Sequence, residues 1–277
     1  MSILVSATQL FDMMQDSSVS LVRALMDDPV SGTQDARSAK VLPNSVDIDL
    51  DNEGSDHSTG FPHSMPSPHT FALYLGKLGL TENTPIVVYD TRGVYSAPRV
   101  WWMLKAMGHA NVSLLDGGQV AWQSAQLPVA AQESVSPASY NASPQPNWFV
   151  NSSAVLQALD TPTQLVDARS YERFSGQAPD PRPGVRAGHM PGAFNVPFVK
   201  LLNNGQFLPI TKLKQVFDDA GVDLSSPIIC TCGSGVTACI VGMAAIMCGA
   251  TSVSVYDGSW SEWGARTDLP VVTNVED

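Results

Sequence analysis

The sequence predicts an α/β protein of two tandem domains, each a mainly parallel sheet flanked by helices on both faces. The first reason is an internal repeat: Leu115-Asp-Gly-Gly118 matches Tyr256-Asp-Gly-Ser259, and the same spacing separates Trp122 from Trp263. A repeat of about half the chain is too long for a solenoid unit, so each copy is expected to be a domain. The second reason is that short apolar runs alternate with helix-like runs in both copies, which is typical of parallel sheets.

Composition suggests where the two domains meet. Residues 131–147 are rich in Ala, Ser, Pro and Gln and lack a helical charge pattern, so we expect a linker there. The first domain then covers residues 1–130 and the second covers residues 148–277. A chain of 277 residues is long enough for two ordinary domains with cores of their own.

In the first copy, the apolar runs Ile86–Tyr89 and Val112–Leu115 are expected to be buried strands. Between them, Pro98–Met107 is expected to be a helix that stops at Gly108. Three residues of this helix are expected to pack inward: Trp101, Trp102 and Leu104.

In the second copy the same reasoning predicts three strands and two helices. The strands are Gln164–Val166, Pro227–Cys230 and Ser252–Val255, and the helices are Leu213–Ala220 and Thr237–Cys248.

The charge balance limits the classes of partner. The formal net charge is −11 and the pI is about 4.7, which argues against nucleic acid and anionic membranes. No apolar run is long enough to span a bilayer, and the first residues lack signal-peptide and transit-peptide features. The four cysteines are clustered, not spread as a disulfide framework, so a reducing cytoplasm is expected. No zinc-like spacing and no Walker or dinucleotide motif occurs, so neither a metal nor a cofactor is expected.

The chain is organised around the stretch Cys230-Thr-Cys-Gly-Ser-Gly-Val-Thr-Ala238. A strand that ends in a glycine-containing loop and opens a helix directs several backbone N–H groups at one point. Cys232 begins this loop, where the positive end of a helix favours the thiolate, and Gly233 and Gly235 allow the sharp bend. The motif therefore indicates a reactive cysteine in an anion cradle; the alternative is a structural cysteine beside a glycine-rich turn.

Four arginines fall in one segment of the second copy: Arg169, Arg173, Arg182 and Arg186. The segment is interrupted by prolines, so it is expected to be a loop following the strand Gln164–Val166. Ligands bind beyond the carboxyl ends of such strands, which would place these arginines on the same rim as Cys232. The alternative is solvated arginines on a mobile loop, with Arg169 paired to a carboxylate for structural reasons.

Four motifs in the same order carry a resemblance to a known family. They are Tyr95-Ser-Ala-Pro-Arg-Val-Trp-Trp102, Gly188-His-Met-Pro-Gly-Ala193, Cys232-Gly-Ser-Gly-Val-Thr237 and Tyr256-Asp-Gly-Ser-Trp-Ser-Glu-Trp263. With them the chain resembles two-domain sulfurtransferases of the rhodanese superfamily, and among these the 3-mercaptopyruvate sulfurtransferases. It departs from the family at Val41-Leu-Pro-Asn-Ser45 and in the preceding segment 23–40, which leaves the local shape of the first domain open.

The resemblance implies a pair of rhodanese-like domains in which only the second is catalytic, since Asp90 stands where the second copy has Cys232. It implies that Cys232 takes a sulfane sulfur from 3-mercaptopyruvate as a persulfide and releases pyruvate. The sulfur then passes to thioredoxin, a small thiol or cyanide. Covalent catalysis of this kind divides one difficult exchange into two easier steps.

The resemblance also implies roles for individual residues. Arg173 and Arg182 match the family's substrate arginines, whose planar forks suit a carboxylate. The loop N–H groups would stabilise the developing sulfur anion, from Gly233 through Gly235 and Val236 to Thr237. Ser234 makes the loop neutral, unlike the basic loops of thiosulfate-specific relatives.

A proposed Ser-His-Asp arrangement of the subfamily falls on Ser234, His63 and Asp49, with both of the last two assigned to the first domain. Neighbouring residues compete for these positions: His57, His69, Asp47 and Asp51. His189 is interpreted as structural.

Alternative functions remain open from the sequence. The first is a thiosulfate:cyanide sulfurtransferase, with the same chemistry and another donor. The second is a phosphatase-like enzyme, which the missing loop-closing Arg after Thr237 disfavours. The third is a non-enzymatic sulfur carrier or interaction protein. Cys230 could form a redox pair with Cys232, but inert packing is expected for Cys230, Cys239 and Cys248.

Overall fold

The computed structural model describes residues 2–16, 18–28, 32, 34–35 and 40–273. The chain divides into two compact units. Unit 1 comprises residues 1–56, 65–146 and 204–207, and unit 2 comprises residues 57–64, 147–203 and 208–277. The predicted domains, residues 1–130 and 148–277, include residues outside this description, among them Met1 and residues 274–277.

Unit 1 is built on a parallel sheet with the strand order β1-β5-β4-β2-β3. The strands are β1 (Leu4–Val5), β2 (Ser20–Leu25), β3 (Ser45–Asp49), β4 (Ile86–Tyr89) and β5 (Val112–Leu115). The helices are α1 (Ala7–Asp16), α2 (Pro68–Lys77), α3 (Ala97–Ala106) and α4 (Gly118–Ser124). Strands β2 and β3 align Arg23 with Asp47, and these side chains form a 2.7 Å ion pair although Arg23 is fully buried.

The predicted strands of unit 1 are confirmed, and the predicted helix is α3, shifted by one residue at each end. Trp101, Trp102 and Leu104 are all buried, as expected. The atypical segment 23–40 is described only in part, because residues 29–31, 33 and 36–39 lie outside the described residues. Val41 forms an isolated bridge with Ala130. Residues 131–146, all described, form neither helix nor strand.

Unit 2 repeats this topology with the strand order β6-β12-β11-β7-β8. The strands are β6 (Phe149–Val150), β7 (Gln164–Asp167), β8 (Phe194–Asn195), β11 (Ile228–Thr231) and β12 (Val253–Tyr256). The helices are α5 (Ser152–Ala158), α6 (Tyr171–Ser175), α7 (Ile210–Asp219), α8 (Ala238–Met247) and α9 (Ser259–Trp263). Two-residue strands β9 (Leu202–Asn203) and β10 (Gln206–Phe207) and 3-10 helices His57–Thr59 and Phe198–Leu201 complete the chain.

Equivalent tryptophans make the same hydrogen bond in both units, which agrees with an internal duplication. The buried indole of Trp122 donates to the carbonyl of Pro128 at 2.8 Å, and that of Trp263 donates to Pro270 at 2.8 Å. Matching strand orders and matching indole contacts confirm the predicted fold of two α/β domains with parallel sheets.

One prediction for unit 2 was wrong in part. The arginine segment was expected to be entirely loop, but it begins with the short helix α6, so Arg173 is helical. Tyr, Glu, Arg and Phe tolerate helix, and Gly176 ends it in a left-handed conformation with φ +90°. Among the described residues, no helix combines the length and apolar character needed to cross a membrane.

Candidate active site

The loop that holds Cys232 connects β11 to α8 in unit 2. All four residues of β11 are buried, and α8 is buried over most of its surface, so the loop is held firmly at both ends. Gly235 takes a left-handed φ of +76°, which lets the chain turn into the helix. Within the described part of the chain, the backbone N–H groups of Gly233, Ser234, Val236 and Thr237 donate to no other protein atom. These N–H groups are available to a bound anion, and the anion cradle itself stays a prediction.

The first turn of α9 fixes the start of this loop. The backbone N–H groups of Trp260 and Ser261 donate to the carbonyls of Cys232 and Gly233, both at 2.9 Å. The N–H of Cys232 donates to the hydroxyl oxygen of Ser259 at 3.3 Å. The backbone of Cys232 is therefore held through both its N–H and its carbonyl.

Cys232 is almost completely buried. The residue is 2% exposed, so its sulfur atom is largely shielded from solvent. The other cysteines are buried and free, as expected for packing residues. Burial raises the pKa of the Cys230 thiol well above its usual range, so this neighbour stays protonated and apolar. The Cys239 thiol donates to the carbonyl of Gly235 at 3.2 Å.

Arg173 and Arg182 both reach this loop. A side-chain carbon at position 233 would lie 3.3 Å from Nη2 of Arg173 and 3.4 Å from Nη1 of Arg182, so glycine permits this close approach. Their side chains are 22% and 25% exposed, which leaves guanidinium surface for a ligand. The Nε of Arg173 is buried and has no hydrogen-bond partner among the described residues. Two cations beside the loop that begins with Cys232 can bind and orient a small anion.

Asp180, which the sequence analysis missed, anchors both arginines. Its carboxylate accepts from Nη2 of Arg173 at 2.6 Å and from the backbone N–H of Arg182 at 3.0 Å. A signal existed, since Asp180 precedes Arg182 by two residues in a proline-rich turn. Ser259 was missed as well, because its contact with Cys232 joins distant parts of the sequence.

The other basic residues of the segment are structural. Arg169 is 3% exposed and forms a bidentate pair with Asp167, and Arg186 donates to backbone carbonyls that include Trp263 and Leu269. His189 contacts the carbonyl of Phe174 at 2.8 Å through Nδ1, and burial lowers its pKa. These residues hold the fold around the loop.

Ser234 meets His63 within unit 2. Nδ1 of His63 lies 3.1 Å from the Ser234 hydroxyl, and the two residues are 7% and 5% exposed. The turn that holds His63 is fixed by a 2.8 Å hydrogen bond between the hydroxyls of Thr59 and Ser64. His63 itself has a left-handed φ of +59°, an unusual conformation that often accompanies functional sites. The competing histidines, His57 and His69, are exposed.

The structure divides the predicted Ser-His-Asp set between the units. The sequence assigned His63 to the first domain, but residues 57–64 belong to unit 2, because contacts such as His63 with Ser234 attach them there. Asp49 ends β3 in unit 1, where its carboxylate accepts from the Asp51 N–H and the Asn52 amide, both at 3.0 Å. The catalytic role of Asp49 stays a prediction.

A groove of about 400 Å³ lies beside the turn that carries His63. Its wall combines aromatic and acidic side chains with the backbone of Gly258, next to Ser259. The lining residues are Thr59, Phe61, Ser64, Phe149, Val150, Asn151, Asp257, Gly258 and Glu262.

The equivalent loop of unit 1 shows what such a cradle can bind. The carboxyl group of Asp90 accepts from the backbone N–H groups of Arg92, Tyr95, Ser96 and Ala97 at 2.8–3.0 Å. Burial raises the pKa of Asp90, and these four donors oppose that rise. The loop of unit 1 is thus filled by its own carboxyl group, whereas the loop of unit 2 has Cys232 at the equivalent position.

Comparisons with known proteins agree with this geometry. The family model for the rhodanese-like domain matches residues 9–125 and 152–266. The chain is similar to the 3-mercaptopyruvate sulfurtransferase of Mus musculus, with 44% identity over 230 residues, 81% of this chain and 77% of the relative. It is 39% identical over 274 residues to the 3-mercaptopyruvate sulfurtransferase of Escherichia coli K12, 96% of each chain. Its structure is similar to that of SseA from Escherichia coli, with a TM-score of 0.84, 33% identity, and 94% and 99% of the two chains covered.

Proposed function

The chain belongs to the family of rhodanese-like domain proteins, and from this premise we propose that it is a 3-mercaptopyruvate sulfurtransferase with Cys232 as its nucleophile. The observation that carries the proposal is the placement of two partly exposed guanidinium groups, Arg173 and Arg182, against the loop that Cys232 begins. The related enzymes from Mus musculus and Escherichia coli carry this donor in their names.

In the first half-reaction, the Cys232 thiolate attacks the sulfur of 3-mercaptopyruvate. The S–S bond forms as the donor's C–S bond breaks, and the electron pair leaves with the three-carbon enolate. The proton of the donor thiol ends on carbon, so thiolate and mercaptopyruvate become persulfide anion and pyruvate. The free N–H groups of Gly233, Ser234, Val236 and Thr237 support the negative charge on the persulfide.

The two arginines bind the carboxylate and carbonyl oxygens of the donor. A guanidinium near the carbonyl stabilises the enolate as charge moves onto its oxygen, so Arg173 and Arg182 contribute to the transition state as well as to binding. The Ser234 hydroxyl, supported by the imidazole of His63 at 3.1 Å, carries the proton that must move from sulfur to carbon.

In the second half-reaction, an acceptor removes the outer sulfur and restores the thiolate. A thiol acceptor becomes a persulfide and cyanide becomes thiocyanate; thioredoxin, a small thiol and cyanide are our proposed acceptors. Because all four cysteines are free, we also propose a reducing cytoplasmic setting.

A comparison of donors tests this proposal. We expect the wild-type chain to release pyruvate from 3-mercaptopyruvate with a higher kcat/KM than its use of thiosulfate, with cyanide as the common acceptor. C232S should abolish both reactions, since a hydroxyl replaces the sulfur nucleophile, and C248S is the matched control. Faster use of thiosulfate would favour the thiosulfate:cyanide alternative, and turnover by C232S would overturn the mechanism.

A further inference from the structure

Asp180 links the two arginines of the anion site through one buried carboxylate. Its side chain is 1% exposed, while the Arg173 and Arg182 side chains keep about a quarter of their surface open. One carboxylate oxygen binds Arg173, and the other accepts the Arg182 backbone N–H and lies 3.4 Å from Nη1 of Arg182. The carboxylate therefore sits behind the guanidinium groups, on the side away from bulk solvent.

This arrangement sets the charge of the anion site. Two guanidinium groups contribute +2 and Asp180 contributes −1, so the cluster carries a net charge of +1. The loop residues from Gly233 to Thr237 add no side-chain charge. Arg169 does not change the balance, because it forms a buried pair with Asp167.

We propose that Asp180 determines donor specificity, because its negative charge adjusts the arginine cluster to favour a singly charged sulfur donor over a doubly charged one. This inference rests on the proposed function and concerns the same site. 3-Mercaptopyruvate carries one carboxylate and a neutral thiol, whereas thiosulfate carries two negative charges. Asp180 is not itself a catalytic residue, because it acts from behind the arginines through its charge.

The physical basis is the scaling of Coulomb energy with the product of charges. Asp180 repels a dianion twice as strongly as a monoanion at the same position. The difference between the two donors equals one unit of charge interacting with Asp180. A change in the state of Cys232 itself would affect both donors alike, so it cancels when the two donors are compared in the same variant.

Asp180 also has a positional role, which the experiment must separate from its charge. Its bond to Arg173 is the side-chain contact that holds this guanidinium at 2.6 Å. Loss of that bond should weaken the use of both donors by a similar factor. The ratio of kcat/KM for thiosulfate to kcat/KM for 3-mercaptopyruvate cancels a common loss and isolates the charge.

The test compares neutral and charge-retaining variants of the full chain, with cyanide as acceptor. D180N and D180S remove the charge, and D180E keeps it but changes the geometry. D268N is the matched control, because Asp268 also pairs with an arginine, Arg266 at 2.6 Å, in an exposed position. Circular dichroism and Tm establish that each variant is folded.

We expect D180N and D180S to raise the thiosulfate-to-mercaptopyruvate ratio about tenfold, equivalent to about 1.4 kcal/mol. The rise should shrink as salt is added, because ions screen a partly exposed site. D180E should lose activity with both donors yet keep the wild-type ratio, and D268N should change neither. Competitive inhibition gives a second measure of the same preference. In D180N and D180S, inhibition by the dianion sulfate should strengthen relative to inhibition by the monoanion pyruvate, and this measurement needs no thiosulfate turnover.

Equal losses with both donors in D180N and D180S, with an unchanged ratio, would overturn the role of Asp180 while leaving the proposed function intact. A ratio shift in D180E as large as in D180N would also overturn it, because geometry would then explain the effect. A wild-type chain that uses neither donor would overturn the proposed function and this inference with it.

Discussion

The hydroxyl oxygen of Ser259 accepts a hydrogen bond from the backbone N–H of Cys232 at 3.3 Å, and Ser259 makes it from a left-handed conformation with φ +48°. The equivalent residue of unit 1 is Gly118, with φ +53°, where a side-chain carbon would lie 2.5 Å from the carbonyl oxygen of Asp90. A non-glycine residue in such a conformation costs about 1–3 kcal/mol. Serine at this position therefore carries strain that is offset by two contacts of its hydroxyl, one with the N–H of Cys232 and one with the carbonyl of Tyr256 at 2.8 Å.

We expect S259G to separate stability from activity. Glycine relieves the strain, so Tm should stay the same or rise, as the backbone conformation suits glycine. The lost contact frees the N–H of Cys232, so kcat should fall by about tenfold through poorer alignment of the sulfur. The measurements are Tm, kcat with 3-mercaptopyruvate and the pH dependence of Cys232 alkylation.

S259A is the matched control, because it keeps the strain and loses the hydroxyl. It should be as slow as S259G but less stable. If both variants alkylate Cys232 at the wild-type rate at every pH, the hydroxyl has no role in presenting the nucleophile.

The pairing of Ser234 with His63 leads to a donor-dependent prediction. Pyruvate release needs a proton moved from sulfur to carbon, whereas transfer from thiosulfate to Cys232 needs none. S234A should therefore reduce kcat for 3-mercaptopyruvate by about 100-fold, the low end for general acid–base catalysis, and affect thiosulfate much less. Steady-state kinetics with both donors measure the contrast.

S234T keeps a hydroxyl at the same position and should restore part of the lost rate. H63Q should resemble S234A, since it removes the imidazole 3.1 Å from the hydroxyl. Equal loss with both donors would mean that Ser234 shapes the loop and does not move a proton.

The sequence predicted most of the fold because its strong local signals agree with the final packing. Strand β4, for example, is an unbroken apolar run between turn residues, and every residue of it is buried. The glycine-rich start of α8 also predicted the position of Cys232. Helix α6 was missed because five residues between a strand and a proline-rich segment show no helical period.

Contacts between distant segments limited the prediction of the site. The residues 57–64 lie early in the sequence but belong to unit 2, and no local pattern indicates this. Asp180 gave only a weak signal, since acidic residues in turns are common. The backbone contacts that hold Cys232 come from α9, which follows it by more than twenty residues.

His109 should make unit 1 less stable at mildly acidic pH. Nε2 lies 3.0 Å from the carbonyl of Thr84 and Nδ1 lies 3.0 Å from the hydroxyl of Tyr140, an arrangement that suits a neutral ring. Burial lowers its pKa below the ordinary 6.5. At a pH between the pKa of His109 in the folded chain and the ordinary value in the unfolded chain, the unfolded chain binds a proton that the folded chain does not. The free energy of unfolding therefore decreases as the pH falls through this window.

We expect the drop in Tm from pH 7.5 to pH 5.5 to be smaller in H109Q than in the wild type. H69Q is the matched control, because His69 is exposed. The same drop in all three proteins would exclude His109 as a source of the pH dependence.

The carboxyl group of Asp90 should be a main stabilising element of unit 1. D90A leaves four backbone N–H groups without their acceptor in a buried loop. Leaving buried donors unsatisfied is costly, so we expect a loss of roughly 3 kcal/mol in the free energy of unfolding. Calorimetry of the full chain can measure the change in the transition of unit 1.

The same cradle should then accept an external anion. Sulfate or thiosulfate added to D90A should raise its Tm more than that of the wild type, because a ligand of the folded state stabilises it. D116A is the matched control, since Asp116 accepts one backbone N–H, from Phe207 at 2.9 Å, in the same unit. If anions stabilise D90A and D116A equally, the loop of unit 1 does not form an anion cradle. It would then give no support to the cradle that we propose for the persulfide in unit 2.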